Sequence, residues 1–361
     1  MKAVALCSAV GALVLAAFAC LGSSAALKSN SESSGYRVLN PIHRASLTVF
    51  PVVASASHDT SEFLTLDEGL RSGEVEVTEL GSIQPLVRRR MRPLPHSGAE
   101  VNRLVLVNNS DRPLILLAGE IVTGGKQDRI IGKDRIVPAN SEPIDVNVFC
   151  VEPGRWTGDT AKFGAIGAQM AQPAVRAKAM SDKDQAKVWS EVRNSSAGIA
   201  GKLSPTLAAP LAQTSSYAQV VNNDAVKEKV ESISLPLQRD YEGLIRELRN
   251  RNAVGVVVAV NGRIIWADLF ASSNLLEKYW PKLVRSYAAE ALSSDGLPKG
   301  VTMEKAQAFL DNMQGTREMI ESEPGVYRHA EITGDAFKVF ELTSLLPKTG
   351  FDVHLAKMVE Q

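Results

Sequence analysis

Apolar and polar positions in the first half of the chain follow the periods of β-strands. Residues 46–53 form an apolar run, and residues 74–80 alternate charged with apolar side chains, as half-buried strands do. Residues 101–107 and 113–117 flank the turn formers at 108–111, which predicts a hairpin. We therefore expect a β-sandwich or barrel-like first half, over about residues 46–153. Further short strands are predicted at 129–131, 134–137 and 144–150.

The middle of the chain has a helical pattern. Ser181, with Asp184 three residues later, resembles an acidic capping box and predicts a helix start. An apolar stripe at helical spacing predicts a second helix that begins near Pro236. Between them, residues 195–222 are rich in Ser, Ala, Gly and Pro, so we expect a mobile surface loop or lid there.

The clearest local pattern lies in the second half. Asn261-Gly262 separates two apolar arms, 254–260 and 263–270, and this dipeptide favours the type I′ turn of a β-hairpin. The chain is therefore expected to be one interwoven α+β unit over residues 45–361, with a possible division near residue 215. Helices are predicted at about 273–279, 281–294 and 302–321, with Pro281 separating the first two, and short strands near 325–341.

The first residues have the composition of a cleavable signal sequence. Lys2 precedes an uncharged apolar run from 3 to 21, and Ser24-Ala25-Ala26 offers a small-residue cleavage site. We therefore expect a signal sequence over residues 1–26, cleavage after Ala26, and a flexible leader over 27–44. The mature protein is expected to be periplasmic or extracellular.

A second interpretation of the same region is a lipid anchor. Ala17-Phe18-Ala19-Cys20 resembles the lipobox in which bacterial lipoproteins acylate a cysteine. Cys20 would then hold the protein at the cell envelope. No later stretch reaches the length of a membrane span, so membrane contact is expected only if Cys20 is lipidated.

Charge and cysteine content limit the possible functions. Lys plus Arg and Asp plus Glu both number 40, so removal of Lys2 leaves 39 against 40 and gives no general attraction to nucleic acid. Of the 3 cysteines, only Cys150 follows the leader, and it is expected to be buried and inert. The five histidines show no H-x-x-x-H spacing, and neither C-x-x-C nor G-x-S-x-G occurs. We expect no transition-metal site and no cofactor.

Residues 119–129 contain the densest group of polar and glycine residues. Adjacent glycines let backbone N–H groups approach an anion, which a lysine or arginine can then neutralise. The sequence fails the phosphate-loop pattern, because Gly125 stands where that pattern has lysine. The alternative is a glycine bulge with Lys126 and Asp128 paired at the surface. The candidate ligand-binding residues are Glu120, Gly124, Gly125, Lys126, Gln127 and Arg129.

A second candidate group, Glu152, Arg155 and Trp156, ends the β-rich region. Arg155 beside Trp156 suits a cation–π or bidentate anion contact, and Glu152 suits an acid or base. The alternative is a turn held by an Arg–Glu pair and a packed indole.

These segments resemble the ARPP-type domain family over roughly residues 45–345. The family is named for its association with ADP-ribosylglycohydrolase and rhodanese-phosphatase genes, which implies nucleotide-derived ligands in intracellular systems. It supplies no set of catalytic residues, and the expected export of this chain departs from that setting. The resemblance rests on Val-Asn-Asn at 107–109, Leu-Ala-Gly-Glu at 117–120, Gly-Gly-Lys-Gln-Asp-Arg at 124–129, residues 148–156 and residues 270–287.

Three functions are consistent with the sequence. The first is an extracytoplasmic protein that binds an anionic, nucleotide-like or sugar-phosphate ligand through the two candidate groups. The second is a hydrolase acting on a phosphate or ADP-ribose-like substrate, with Glu120 or Glu152 as base and Arg129 or Arg155 holding the anion. The third is a structural envelope protein in which both groups only form turns.

Overall fold

The computed structural model describes residues 35–80, 100–156, 162–164, 169–247, 252–297 and 299–360. The strands are β1 (Tyr36–Val38), β2 (Ile42–Arg44), β3 (Leu47–Ala54), β4 (Leu64–Thr65), β5 (Val75–Glu79), β6 (Arg103–Asn108), β7 (Leu114–Leu116), β8 (Ile121–Gly124), β9 (Arg129–Ile131), β10 (Arg135–Val137), β11 (Ile144–Cys150), β12 (Lys162–Gly164), β13 (Ala253–Val260), β14 (Arg263–Phe270), β15 (Gly315–Glu323), β16 (Tyr327–Gly334), β17 (Phe337–Ser344) and β18 (Asp352–Val359). The α-helices are α1 (Leu66–Ser72), α2 (Pro173–Ala177), α3 (Gln185–Ala200), α4 (Pro205–Ala208), α5 (Tyr217–Asn222), α6 (Asp224–Glu247), α7 (Ser273–Ser293) and α8 (Met303–Asp311).

A nine-stranded antiparallel sheet is the largest layer. Its order is β1-β3-β13-β14-β18-β17-β16-β15, with β2 also paired to β3, so strands from both ends of the chain build it. The central strand β13 is an unbroken apolar run because both faces of the sheet are covered. Val256 and Val258 face the cluster formed with α6 and α7, whereas Val257 and Ala259 face the cluster formed with α8.

The predicted hairpin at the centre of this sheet is confirmed. Val260 pairs with Arg263, and the intervening Asn261 and Gly262 have φ values of 52° and 78°. Positive φ at both positions is the requirement of a type I′ turn, which Asn-Gly meets with little strain.

The first half of the chain forms a closed barrel, as the predicted β-rich region allows. Its order is β11-β6-β5-β12-β8-β9, and the interior is filled by apolar side chains such as Val77, Leu106 and Val148. The barrel begins only at Val75, because the predicted strand at 46–53 becomes β3 of the large sheet. The predicted α+β class is confirmed.

The predicted hairpin between 101–107 and 113–117 is wrong. β6 pairs with β5 and β11 in the barrel, whereas β7 pairs with β10 and β4 in a separate three-stranded sheet. The Asn108 side chain donates to the carbonyls of Arg112 (2.8 Å) and Pro138 (3.0 Å), so this turn directs the chain out of the barrel. Turn-forming residues therefore mark a crossover between sheets here.

Two predictions for the helical middle are also wrong. The helix begins at Gln185, where the Asp184 side chain accepts from the Lys187 N–H at 2.9 Å, and Ser181 lies in a preceding π-helical turn. Residues 195–222 are not a loop, because they continue α3 and then form α4, a 3₁₀ turn and α5. Tyr217 and Val220 of this segment are buried in the core.

Neither Pro236 nor Pro281 lies at a helix boundary, although the sequence predicts one at each. Pro236 lies inside α6, which begins at Asp224, and Pro281 lies inside α7, which is continuous through both predicted helices. Each proline costs a helical hydrogen bond, but buried neighbours such as Leu237 and Trp280 anchor these helices to the large sheet. The helix predicted over 302–321 stops at Asp311, and residues 315–323 form β15 instead.

The described part of the expected leader is ordered. Residues 36–38 and 42–44 form β1 and β2, which pair with β3, so residues 35–44 are not a flexible segment. The expected signal sequence and Cys20 lie outside the described residues. Among the helices that the structure describes, none combines the length and the apolarity needed to cross a membrane.

Candidate functional site

One end of the barrel interior is polar. Alternate residues of a strand face the same side, so Glu79 follows Val77 inward on β5, and Arg129 and Cys150 face inward from the paired strands β9 and β11. Arg129 Nη2 lies 4.0 Å from Glu79 Oε1. We call this end the barrel mouth, and define it by Glu79, the turn at 124–128, Arg129, Cys150, Glu152, Arg155 and Trp156.

The glycine turn between β8 and β9 closes tightly on the barrel. Gly124 and Gly125 have φ values of 123° and 51°, and a Cβ on Gly125 would lie 2.2 Å from the Phe163 ring. The backbone N–H of Gly124 donates to Asp128 Oδ1 (3.2 Å), and that of Lys126 donates to Glu79 Oε1 (2.8 Å). The anions that these N–H groups bind are therefore the protein's own carboxylates.

The expected surface pair between Lys126 and Asp128 is absent from the described residues. Asp128 is buried and accepts from Ser216 Oγ at 2.9 Å, while Lys126 Nζ lies 5.0 Å from the centre of the Trp156 ring. Burial, together with the negative charge of Glu152, raises the pKa of Asp128. Gly124 ends β8 and Gly125 begins the turn to β9, and the described pairings of β8 with β9 and β12 have no register shift, so the glycines form a turn and not the expected bulge.

Residues 150–156 fold onto this turn. Glu152 Oε2 accepts from Arg155 Nη2 (2.5 Å) and from the Asp128 N–H (3.1 Å), and Arg155 Nη1 donates to the Gly125 carbonyl (3.1 Å). The hydrogen bond to Glu152 raises the pKa of Arg155. The two candidate groups found in the sequence therefore meet, and the Arg–Glu pair predicted for this turn is present.

Arg129 is the least satisfied charge at the barrel mouth. It is fully buried, and its Nη1 donates to the Gln127 carbonyl at 2.8 Å. Its Nε and Nη2 have no hydrogen-bond partner among the described residues. Trp156, which is 41% exposed, covers it with the ring centre 5.9 Å from the guanidinium carbon. Burial lowers the pKa of Arg129, although a guanidinium stays charged at neutral pH.

Cys150 is buried, as expected, and its sulfur accepts from the Glu152 N–H at 3.3 Å. Burial raises the pKa of the thiol, which lowers the fraction of reactive thiolate. The geometry agrees with an inert cysteine.

Glu120 does not belong to the barrel mouth. Its Oε2 accepts from the Leu117 N–H (2.6 Å) and its Oε1 from Lys282 Nζ (2.5 Å) on α7, and Lys282 also binds Asp67. Burial raises the pKa of Glu120, and the positive charge of Lys282 opposes this effect. Glu120 therefore ties the turn at 117–120 to α7.

A second buried network was missed by the sequence analysis. His354 Nδ1 lies 2.5 Å from Asp134 Oδ2, and its Nε2 lies 3.1 Å from Asp268 Oδ1. Arg176 binds both oxygens of Asp268 at 3.0 Å, and Tyr287 donates to the same carboxylate. These side chains join the barrel side to the large sheet, and we call them the interior network. The available signal was a charged residue, Asp268, inside an apolar hairpin arm.

Electrostatics hold the interior network in its charged form. Burial alone lowers the pKa of His354, but Asp134 and Asp268 outweigh it and raise that pKa to about 9. For Asp268, burial alone would raise the pKa, but the positive charge of Arg176 outweighs burial and holds the pKa of this carboxyl well below its ordinary value. The charged groups of this network bind one another, so the network serves the fold.

The comparisons with known proteins agree with the sequence motifs. The model of the ARG and Rhodanese-Phosphatase-superfamily-associated Protein domain, ARPP-1, matches residues 35–357. The chain therefore belongs to the ARPP-1 family. No curated protein and no solved structure matches it.

Proposed function

We propose that this member of the ARPP-1 family is an exported protein that binds a small anionic molecule at the barrel mouth. The observation that carries the proposal is the free edge of Arg129, whose Nε and Nη2 have no partner among the described residues. These two N–H groups form the fork that binds a carboxylate or phosphate through two parallel hydrogen bonds. A buried charge with unused donors is costly, and an anionic ligand would satisfy it.

The neighbouring acceptors narrow the ligand class. Glu79 Oε2 and Gln127 Oε1 are also buried without a partner among the described residues. A ligand that carries a hydroxyl or amine beside its anionic group would match this mixture of donors and acceptors. Sugar phosphates and hydroxy acids have that chemistry. Trp156 adds an exposed flat surface for the rest of the ligand.

Binding has more support than hydrolysis. Glu152, one proposed base, is held by Arg155 and by the Asp128 N–H, and Glu120, the other, is paired with Lys282 away from the barrel mouth. Both contacts of Glu152 are made by Oε2 and direct the carboxylate toward the turn, whereas a general base must be aimed at the attacking water. Hydrolysis therefore remains an alternative, which is tested on the same ligands. A purely structural role predicts that none of these ligands binds.

Export is the part of the proposal that rests on the first 26 residues. The mass of the mature chain tests it and separates cleavage after Ala26 from acylation at Cys20. An intact N-terminus in the native host would contradict export by cleavage.

Calorimetric titration with ribose 5-phosphate tests the binding site. Wild-type protein is expected to bind, and Arg129→Gln is expected to bind about ten- to a hundredfold more weakly, because hydrogen bonds to a charged group are lost. Arg193→Gln, which removes an exposed charge on α3, is the matched control and should bind as wild type does.

Two outcomes would contradict the proposal. One is an Arg129→Gln protein that is folded by circular dichroism and binds as tightly as the control. The other is a wild-type protein that binds neither ribose 5-phosphate nor inorganic phosphate at millimolar concentration. Phosphate release from the sugar phosphate, measured in the same samples, would instead favour the hydrolase.

A further inference from the structure

A cavity of about 450 Å³ lies between the barrel and the C-terminal strands, away from the barrel mouth. Its volume is within the range of small-molecule sites, and such sites are common where two packed units meet. One wall comes from β6, β11 and the turn after β9, another from β15, β16 and β17, and the π-helical turn at 178–182 closes a third side. The lining includes Lys133, Phe149, Met180, Lys183, His329 and Phe340.

The charged side chains that line the cavity are all basic. Lys133, Lys183 and Arg103 contribute cations, and no Asp or Glu is among the described residues of the lining. Lys183 Nζ binds Glu331 at 2.9 Å, and Lys133 is paired with Glu321, so the balancing carboxylates lie outside the lining. A lysine ammonium has three donors, so each pair leaves others for a ligand.

His329 adds a polar group at the base of the cavity. It is 3% exposed, and its Nδ1 is buried without a hydrogen-bond partner among the residues described. The pKa of His329 is lowered. Burial is the main cause and the charges of Lys133 and Lys183 add to it, while Asp134 and Glu331 oppose it only in part. A neutral imidazole presents one donor and one acceptor, so it can hydrogen-bond to a ligand beside the lysines.

The remaining lining is apolar and aromatic. Phe340 is stacked with His329 at 6.4 Å between ring centres, and Phe149 and Met180 lie on the barrel side and the helical side. Flat rings and a thioether favour an apolar, planar ligand group. The cavity lining therefore combines cationic with aromatic side chains.

We infer that this cavity is a second binding site, separate from the barrel mouth, for a small phosphorylated molecule with a planar ring. The phosphate would contact Lys133 and Lys183 with His329, and the ring would pack against Phe149, Met180 and Phe340. A nucleoside monophosphate has this chemistry.

Titration of AMP into Arg129→Gln protein tests the inference without a contribution from the barrel mouth. AMP is expected to bind, and adenosine and ribose 5-phosphate are each expected to bind at least about tenfold more weakly, because each lacks one half of the recognised chemistry. Adding Lys133→Gln and Lys183→Gln together should weaken AMP binding by at least about tenfold. Adding Lys305→Gln, which removes an exposed charge on α8, should leave AMP binding unchanged.

The lysine variants are expected to fold. Glu331 keeps Lys338 as a partner at 2.9 Å, and Glu321 keeps the Tyr327 hydroxyl, so neither carboxylate loses all of its contacts. AMP binding that is unchanged by the two lysine substitutions would overturn the inference, as would equal binding of AMP and adenosine. The two lysine substitutions can also be made in protein that keeps Arg129. Ribose 5-phosphate binding that persists in this protein, together with the loss of AMP binding in the Arg129→Gln background, would show that the two sites are independent.

Discussion

The barrel mouth and the interior network are each built around a fully buried arginine, yet the two arginines are used differently. Arg176 binds both oxygens of Asp268 through Nη1 and Nη2, and only its Nε is without a hydrogen-bond partner among the described residues. Arg129 has no carboxylate oxygen closer than Glu79 Oε1 at 4.0 Å, and two of its nitrogens have no partner among the described residues. The first arginine stabilises the fold, and the second is available for recognition.

The surroundings of the two arginines support the same distinction. Arg176 lies over the Trp266 ring, which is 1% exposed, whereas Arg129 lies under Trp156, which is 41% exposed. Even Gly119 is adapted to Arg176, because a Cβ there would lie 2.6 Å from its side chain. A buried charge that is bound by a carboxylate resists substitution, and a buried charge without such a bond, beneath an exposed ring, can bind a ligand.

Arg176→Met should produce the largest loss of stability. It leaves Asp268 buried with His354 as its remaining cationic partner, and breaking a buried ion pair by removing one member costs about 3–5 kcal/mol of unfolding free energy. Urea unfolding followed by circular dichroism would measure the loss. Arg193→Met on the surface of α3 is the control, and a loss below about 1 kcal/mol for Arg176→Met would break the comparison.

A pH titration of stability should give the next largest effect. The pKa of His354 is raised from 6.5 to about 9 by Asp134 and Asp268, so the stabilisation is fully present below pH 6.5 and is lost as pH rises through 9. The shift corresponds to on the order of 3 kcal/mol of unfolding free energy. Urea midpoints from pH 6 to 9.5 would record this decrease.

The matched variant for the pH experiment is His354→Asn, which removes the titrating group. It should be less stable than wild type at pH 6, and its stability should change much less up to pH 9. A wild-type protein with equal unfolding free energies at pH 6.5 and 9 would show that His354 is not charged in the fold.

Local patterns predicted the parts of the molecule that local forces determine. The Asn261-Gly262 hairpin follows from backbone preferences of two residues, and the turns of the barrel mouth at 124–128 and 150–156 were identified from their own composition, whereas their partner Glu79 was not. The helix boundaries near Pro236 and Pro281 were wrong, because burial against the large sheet offsets the cost of a proline. In these helices, tertiary packing outweighs the helix-breaking preference of proline.

Long-range partners explain what the sequence analysis missed. The interior network joins residues from 134 to 354, and no spacing within one segment indicates that Asp134 meets His354. Glu120 was grouped with its sequence neighbours, but its partner Lys282 lies 162 positions away. The turn at 108–111 had the composition of a hairpin, yet the strands on either side pair in different sheets. Strand partners depend on the whole topology, which composition does not encode.

The same substitution at the other arginine should produce the smallest change in stability. Arg129→Met should shift the unfolding free energy by no more than about 1 kcal/mol, because the buried guanidinium already has two unpaired nitrogens and an apolar replacement removes their desolvation cost. Glu79 keeps its hydrogen bond from the Lys126 N–H, which limits the cost of losing the cation. Urea unfolding of Arg129→Met and Arg176→Met under identical conditions is the measurement. Similar losses in both would mean that Arg129 is a structural residue, whereas a near-neutral Arg129→Met with weakened ribose 5-phosphate binding would separate recognition from stability at the barrel mouth.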